Sequence, residues 1–152
     1  MPKLIKNNIR DVRIGKKCII VEPVNLYECE LGNNVFIGPF VEIGKDVKVG
    51  NNTRISSHTF ICPKVKIGKN CFIGHGVMFT NDKFSNGIIN FNEGDWLKTK
   101  IGNNVLIGSN ATIMPVKIVD NVVIGAGSVV TKDIKKAGVY AGNPTKYIKP
   151  LK

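Results

Sequence analysis

The chain is poor in the residues that most enzyme chemistry requires. It has two histidines, His58 and His75, and one tryptophan, Trp96. Two histidines cannot complete a three-histidine zinc site within one chain. A third would have to come from a neighbouring subunit, and the one-coil-less-one-residue spacing of the pair speaks against that arrangement. The four cysteines, Cys18, Cys29, Cys62 and Cys71, form no CxxC pair. With Cys18 and Cys71 at apolar positions, buried free thiols are expected rather than disulfides or zinc ligands. No metal is expected. No apolar run approaches the roughly 20 residues of a membrane span, and the opening MPKLIKNNIR has no apolar signal-peptide core. A cytoplasmic location without membrane insertion is therefore expected. Acidic residues are scarce as well, 11 against 22 basic ones, for a formal charge of +11. Such a surface attracts anions: nucleic acid, an anionic membrane or phosphate-rich small molecules. Because no short basic run with interleaved aromatics occurs, no nucleic-acid partner is expected. What remains, 152 residues of which 43% are hydrophobic, is enough for one domain with one core.

A repeat organises that hydrophobic content. From Leu31 the chain reads LGNNVF, IGPFVE, IGKDVK, VGNNTR, ISSHTF, ICPKVK, IGKNCF, IGHGVM and FTNDKF. After a gap it resumes as IGNNVL, IGSNAT and the shortened IMPVK, then IVDNVV, IGAGSV and VTKDIK. Upstream it runs more loosely from Ile14. A period of six excludes an amphipathic helix, whose period is about 3.6. It predicts an all-β fold in which a two- or three-residue strand is followed by a corner, three hexads closing a triangular coil. Coils over about 14–134 stack as parallel strands with position one inward. At the first corner every third hexad gives Asn33-Asn34, Asn51-Asn52, Lys69-Asn70, Asn103-Asn104 and Asp120-Asn121. Asn and Asp tolerate the left-handed backbone that such corners require. This ladder keeps its phase across the gap, so the segment 85–100 leaves and rejoins the coil at one corner. Such loops often carry function. The tail, 135–152, is expected to cover the last coil, because open strand edges invite aggregation.

Outward positions carry an apolar stripe, Phe36, Phe72, Leu106 and Val123 on the first face, with Phe60 and Met78 on the next. The stripe marks a subunit interface in preference to packing under the loop or tail. His58 and His75 fall at the second corner of adjacent coils. The column there runs from Phe40 and His58 through His75-Gly76 to Ser109-Asn110 and Ala126-Gly127. Its later members are small, so a long thin ligand could lie along exposed backbone amides, although small residues also relieve crowding at turns. The third corner carries Asn81-Asp82, equally good turn formers and a candidate site beside the loop. Trp96, near the loop's return, either anchors the loop or stacks on a base; anchoring is favoured.

The stretches FIGPFVEIGKDVKVGNNTRISSHTFI, HGVMFTND, GDW, IGSNATIMP, IGAGSVVTKDI and AGNPTKYI resemble the hexapeptide-repeat N-acetyltransferases of nucleotide-linked amino sugars. Within them the likeness is to the UDP-2-acetamido-3-amino-2,3-dideoxy-glucuronate N-acetyltransferase branch. The resemblance implies a left-handed coil, a homotrimer, acetyl-CoA as co-substrate, and a UDP- or dTDP-linked amino sugar as acceptor for bacterial surface-glycan (lipopolysaccharide) synthesis. It assigns Asn81 to the amino sugar, and Gly127, Lys132, Asn143, Pro144 and Lys146 to the coenzyme A stretch. The sequence departs from that pattern after Asn-Asp, where Lys83-Phe84-Ser85 replaces a Tyr-Pro-Arg-like segment.

The chemistry needs a base near neutral pKa, because attack on a thioester leaves a cationic nitrogen and an oxyanion. His75 is the candidate base, with His58 or Asp82 orienting it or the sugar. A backbone N–H near Gly76 or along Ser109-Asn110 is the candidate oxyanion donor. The resemblance offers a competing route in which the departing sulfur accepts the proton and Asn81 only positions the amine. Lys132, Lys135, Lys136 and Lys146 are placed to neutralise coenzyme A phosphates, and Arg54 or Lys83 the sugar pyrophosphate. Alternatives are O-acetylation on the same scaffold, a non-catalytic assembly subunit, and a zinc hydratase.

Overall fold

Position one of each hexad points inward, and this builds the molecule. In the computed structural model, which describes residues 1–5 and 8–152, strands of two to four residues wind into three sheets. Lys6 and Asn7, within the opening MPKLIKNNIR, lie outside the described residues. Face 1 runs from Ile19–Ile20 through Phe36–Ile37, Arg54–Ile55, Phe72–Ile73 and Leu106–Ile107 to Val122–Ile124. Face 2 holds seven strands, from Ile9–Arg10 to Val129–Val130, and face 3 holds six, from Arg13–Ile14 to Lys117–Ile118. Up to the tail, each strand pairs in parallel with the equivalent strand one coil away, as in Phe72↔Leu106 and Ile73↔Ile107. The fold is a left-handed parallel β-helix of about 7 turns. Its first strand, Ile9–Arg10, precedes the repeat recognisable from Ile14 and pairs with Asn25–Tyr27. Among the described residues no helix is long and apolar enough to cross a membrane.

The core is a triangular stack. Ile37, Ile55, Ile73 and Ile107 line face 1, Ile43, Ile61, Phe79 and Ile113 face 2, and Val49, Ile67, Ile101 and Ile118 face 3, all buried. Each such side chain contributes about 1.5–3 kcal/mol on leaving water. Cys29, Cys62 and Cys71 are buried among them and all four cysteines are free thiols.

The first corner, between faces 3 and 1, is the asparagine ladder. Asn34, Asn52, Asn70, Asn104 and Asn121 all have positive φ, from 55° to 60°. Their side chains form one chain of amide hydrogen bonds: Asn34 Nδ2 donates to Asn52 Oδ1 (3.0 Å), Asn52 to Asn70 (3.2 Å), Asn70 to Asn104 (3.3 Å) and Asn104 to Asn121 (3.1 Å). Beside it, Asn33, Asn51, Asn103 and Asp120 accept the N–H of Lys16, Asn33, Lys69 and Asn103 through Oδ1. Corner amides that the sheets leave unpaired are thus capped from the next coil.

The excursion expected at about 85–100 begins and ends a few residues earlier. Thr80 still donates to Ile113 O, and the ladder resumes at Thr99, so residues 81–98 form the loop. It leaves and rejoins at the third corner, between faces 2 and 3. The tail continues the coil before capping it. Gly138–Ala141 adds a parallel strand to face 1, Thr145 N–H reaches Val129 O on face 2, and Lys146–Lys149 returns antiparallel on face 1.

Candidate functional site

The second corner, between faces 1 and 2, differs from the first in what it leaves open. Phe40, His58, Gly76, Asn110 and Gly127 occupy its left-handed position, with φ of 61°, 61°, 65°, 59° and 67°. Their N–H groups bond carbonyls of the preceding coil: Gly76 to Ser57 O (3.0 Å), Asn110 to His75 O (2.8 Å) and Gly127 to Ser109 O (2.8 Å). The Gly76 and Asn110 amides, candidates for an oxyanion, are therefore already engaged. The residues one position earlier are Ser57, His75, Ser109 and Ala126. No asparagine stands there to cap their amides, and among the described residues the N–H groups of His75, Ser109 and Ala126 have no acceptor. A Cβ on Gly127 would meet nothing within 4 Å, whereas one on Gly76 would lie 2.4 Å from Asn110 Oδ1. The lower part of the corner is thus bare backbone in open space.

Both imidazoles are exposed at this corner, and their partners differ. His58 stacks on Phe40, ring centroids 4.9 Å apart and planes at 20°. His75 Nδ1 lies 2.8 Å from Ser57 Oγ. When Nδ1 carries the proton and donates to Ser57, Nε2 is a free lone pair able to take a proton from an incoming amine.

The third corner is built by the loop. Leu97 N–H donates to Asn81 O (3.0 Å), closing the loop at its base. The Asp82 carboxylate accepts the N–H of Asn90 (2.8 Å) and of Phe84 (2.8 Å). These two donors hold its pKa below the usual carboxylate range. Trp96 Nε1 donates to Asn90 O (2.8 Å), and Asn92 caps the short turn Glu93–Asp95. Between loop and face 2 lies a mostly apolar cavity of about 480 Å³, walled by Tyr27, Phe60, Phe84, Trp96 and Met114, with Asn81, Asp82 and Lys83 at its polar side. Below it Lys83, Lys132 and Lys135 border one hollow, and Lys132, Pro144 and Lys146 border the next.

Sequence comparison identifies the repeat. The family described as "Bacterial transferase hexapeptide (six repeats)" matches residues 28–63, and "Hexapeptide repeat of succinyl-transferase" matches 64–78 and 98–132. The chain belongs to the hexapeptide-repeat transferases. The stretch between the matched segments, 79–97, overlaps the loop. A curated relative is the bifunctional protein GlmU of Streptococcus uberis, 31% identical over 150 residues. The match covers 93% of this chain and 32% of that protein, so this hexapeptide-repeat transferase spans about a third of the length of that relative. Among solved structures, AntD, an N-acyltransferase from Bacillus cereus in complex with dTDP and 3-hydroxybutyryl-CoA, superposes with a TM-score of 0.76. It is 23% identical, over 91% of this chain and 82% of that one. PerB from Caulobacter crescentus, in complex with CoA and GDP-perosamine, gives 0.67 at 18% identity, over 92% of this chain and 57% of that one. At these identities the likeness is one of fold.

The expected site residues of this hexapeptide-repeat transferase fall into three places. His58, His75, Gly76, Ser109, Asn110, Ala126 and Gly127 share the second corner. Asn81, Asp82, Lys83 and Trp96 share the loop corner, where Lys132, Pro144 and Lys146 also gather. Asn143 lies in the same crossing of face 2 by the tail. The strand Met78–Phe79 separates the two edges, so Asn81 and His75 do not converge within one protomer. Arg54 stands apart on face 1, its guanidinium 3.9 Å over the Phe36 ring. The partner of His75 is Ser57 rather than His58 or Asp82. Ser57 stands one full coil of 18 residues before His75, the offset at which side chains stack.

Proposed function

We propose that this protein transfers an acyl group, acetyl in the simplest case, from coenzyme A to the amine of a nucleotide-linked sugar. The observation that carries the reading is the second corner. Unpaired amides in successive coils lie beside an exposed imidazole whose Nδ1 is fixed by Ser57, above an open backbone at Gly127. An extended chain of amides, as in a pantetheine arm, has the shape and hydrogen-bonding groups to lie along such a ridge. The free N–H groups of His75, Ser109 and Ala126 supply donors for its carbonyls and for the oxyanion of attack, a contribution of about 3–4 kcal/mol per donor in comparable sites. His75 Nε2 takes the amine proton as the C–N bond forms and returns it to the coenzyme A sulfur as the C–S bond breaks, and Asn81 positions the amino sugar. The loop cavity, apolar with one carboxylate and one lysine at its side, suits a base and sugar, and Lys132 and Lys146 suit phosphates.

Within this reading the acceptor is a 3-amino sugar on UDP or dTDP, destined for a bacterial surface glycan. The nucleotide-sugar and acyl-CoA ligands bound by the fold neighbours AntD and PerB support that class of substrates. The working unit is a homotrimer, for two reasons. The second and third corners lie on opposite edges of face 2, so a neighbouring copy is needed to bring imidazole and Asn81 together. Face 1 also retains its half-exposed stripe, Phe72 at 38% and Leu106 at 44%, which neither loop nor tail covers. The test is free-thiol release from acetyl-CoA across a panel of UDP- and dTDP-linked amino sugars. Turnover with an amine and none with its hydroxyl counterpart is expected. Absence of turnover together with absence of acetyl-CoA binding by calorimetry refutes the proposal and leaves an assembly subunit.

A further inference from the structure

Face 3 carries a feature that acyl transfer does not use. Its outward positions hold Lys48, Lys66, Lys100 and Lys117 in four successive coils, and the registers join them directly: Lys48↔Lys66, Lys66↔Lys100 and Lys100↔Lys117. At the usual strand spacing of about 4.8 Å the column runs straight for about 14 Å. All four side chains are exposed. Glu30, one coil above, lies 3.6 Å from Lys48 and 3.8 Å from Arg13. Among the described residues no carboxylate is within ion-pairing reach of Lys66, Lys100 or Lys117. The corner lysines beside the column are tied down: Lys45 pairs with Glu28 and Glu93, and Lys64 donates to the Glu93 carbonyl. Asp133, at the lower end, uses its Oδ1 on the backbone N–H of Lys117 (2.8 Å). Like charges directly opposite on neighbouring strands destabilise a sheet. A dense anionic partner converts that repulsion into attraction.

We propose that face 3 docks on the surface of a bilayer rich in anionic phospholipid, with the four ammonium groups among the phosphate headgroups. A second copy of this chain is disfavoured as the occupant by charge. Among the described residues the outward strand positions of face 1 include no acid beside Phe36, Arg54, Phe72, Leu106 and Val123, and those of face 2 offer Glu42 alone among Asn25, Phe60, Met78 and Thr112. Nucleic acid is disfavoured by chemistry. Lysines on phosphates alone give nucleic acid only sequence-independent binding; the groove-reading side chains and base-stacking aromatic rings that its dedicated readers add are absent from this column. Lipid headgroups diffuse laterally, so a straight, closely spaced row of flexible point charges on a flat face needs no matching register.

Vesicle flotation tests this with the whole chain. Vesicles of phosphatidylcholine with about 30% phosphatidylglycerol are expected to carry the protein, and phosphatidylcholine alone to leave it behind. Raising salt from about 0.15 M to well above it shortens screening below 8 Å and releases the protein. The combined Lys66→Gln, Lys100→Gln, Lys117→Gln variant is expected to bind roughly a hundredfold more weakly. A control with the same loss of charge at the termini, Lys3→Gln, Lys149→Gln, Lys152→Gln, stays within about twofold of wild type. Equal loss in the control reduces the effect to net charge and overturns the proposal, as does flotation of the face 3 variant at the wild-type level. Tighter binding of wild type to short duplex DNA than to the vesicles, lost in the same face 3 variant, overturns it in favour of nucleic acid. A circular-dichroism melt confirms folding of both variants, and salt release of the wild type reads the same surface without any substitution.

Discussion

At the scale of single residues, the strongest statements concern protons. If His75 removes the amine proton, His75→Ala lowers kcat by about 10²–10⁴-fold with little change in KM for acetyl-CoA. Ser57→Ala, which frees Nδ1 but leaves the base, lowers it by a smaller factor. Steady-state kinetics on the two variants separate this from the route in which sulfur accepts the proton, where both retain near-wild-type kcat. Asp82 gives a pH dependence with a definite sign. Its folded-state pKa is depressed by the amides of Asn90 and Phe84, so its contribution is present above the ordinary carboxylate pKa and is lost as pH falls through the lower folded value. The protection of the Phe84 and Asn90 amides, measured against intrinsic exchange at each pH, is expected to hold through mildly acidic pH and to fall only below it, while Asp82→Asn lowers it at pH 7. Burial pushes the Cys62 thiol up to about 12 and Cys29 to about 11, from an ordinary value near 9. Thiol reagents at pH 8 are expected to label these two only after unfolding. Above pH 9 the unfolded chain loses protons that the folded chain retains, which lowers stability as pH rises toward 12. The pairing of Ser57 with His75 is available from counting, since 75 − 57 is one full coil. The scarcity of histidine points instead to His58, whose offset of one residue turns it onto Phe40.

At the scale of elements, each corner has its own chemistry. The first corner is held by side-chain amides that accept and donate along its length, and it is readable in sequence because Asn recurs at a fixed offset and tolerates positive φ. Asn52→Ala combines an unfavourable left-handed backbone with two lost amide bonds. It is expected to cost about 2–3 kcal/mol in a urea melt, and Asn52→Gly less. The second corner is located by the same count, but its function depends on which N–H groups stay unpaired. That is a property of neighbouring coils and not of any motif. The cavity at the third corner is invisible in sequence for a different reason. Tyr27, Phe60 and Met114 reach it from three separate coils, and Phe84 and Trp96 arrive from a loop whose path is set by Asp82, Asn90 and Asn92 rather than by any period.

At the scale of the whole molecule, three faces carry three surfaces. Face 1 is apolar, face 2 lies between the two candidate edges, and face 3 is cationic. If face 1 joins copies, a charge placed in the stripe, Leu106→Lys or Phe72→Lys, is expected to shift sedimentation toward the monomer while the far-ultraviolet spectrum stays unchanged, because both side chains point away from the core. The six-residue period reveals the solenoid because every coil repeats the same inward positions. It cannot by itself reveal how copies assemble, since the inward period is the same whatever residues the outward positions carry. The excursion at 81–98 has a consequence of its own. Because the chain departs and returns at one vertex, with Val65↔Thr99 and Ile67↔Ile101 in uninterrupted register, the segment adds no rotation and no rise to the later coils. It behaves as an exchangeable cassette: its length and composition can drift, and with them the acceptor recognised, while every turn beneath it keeps its seat.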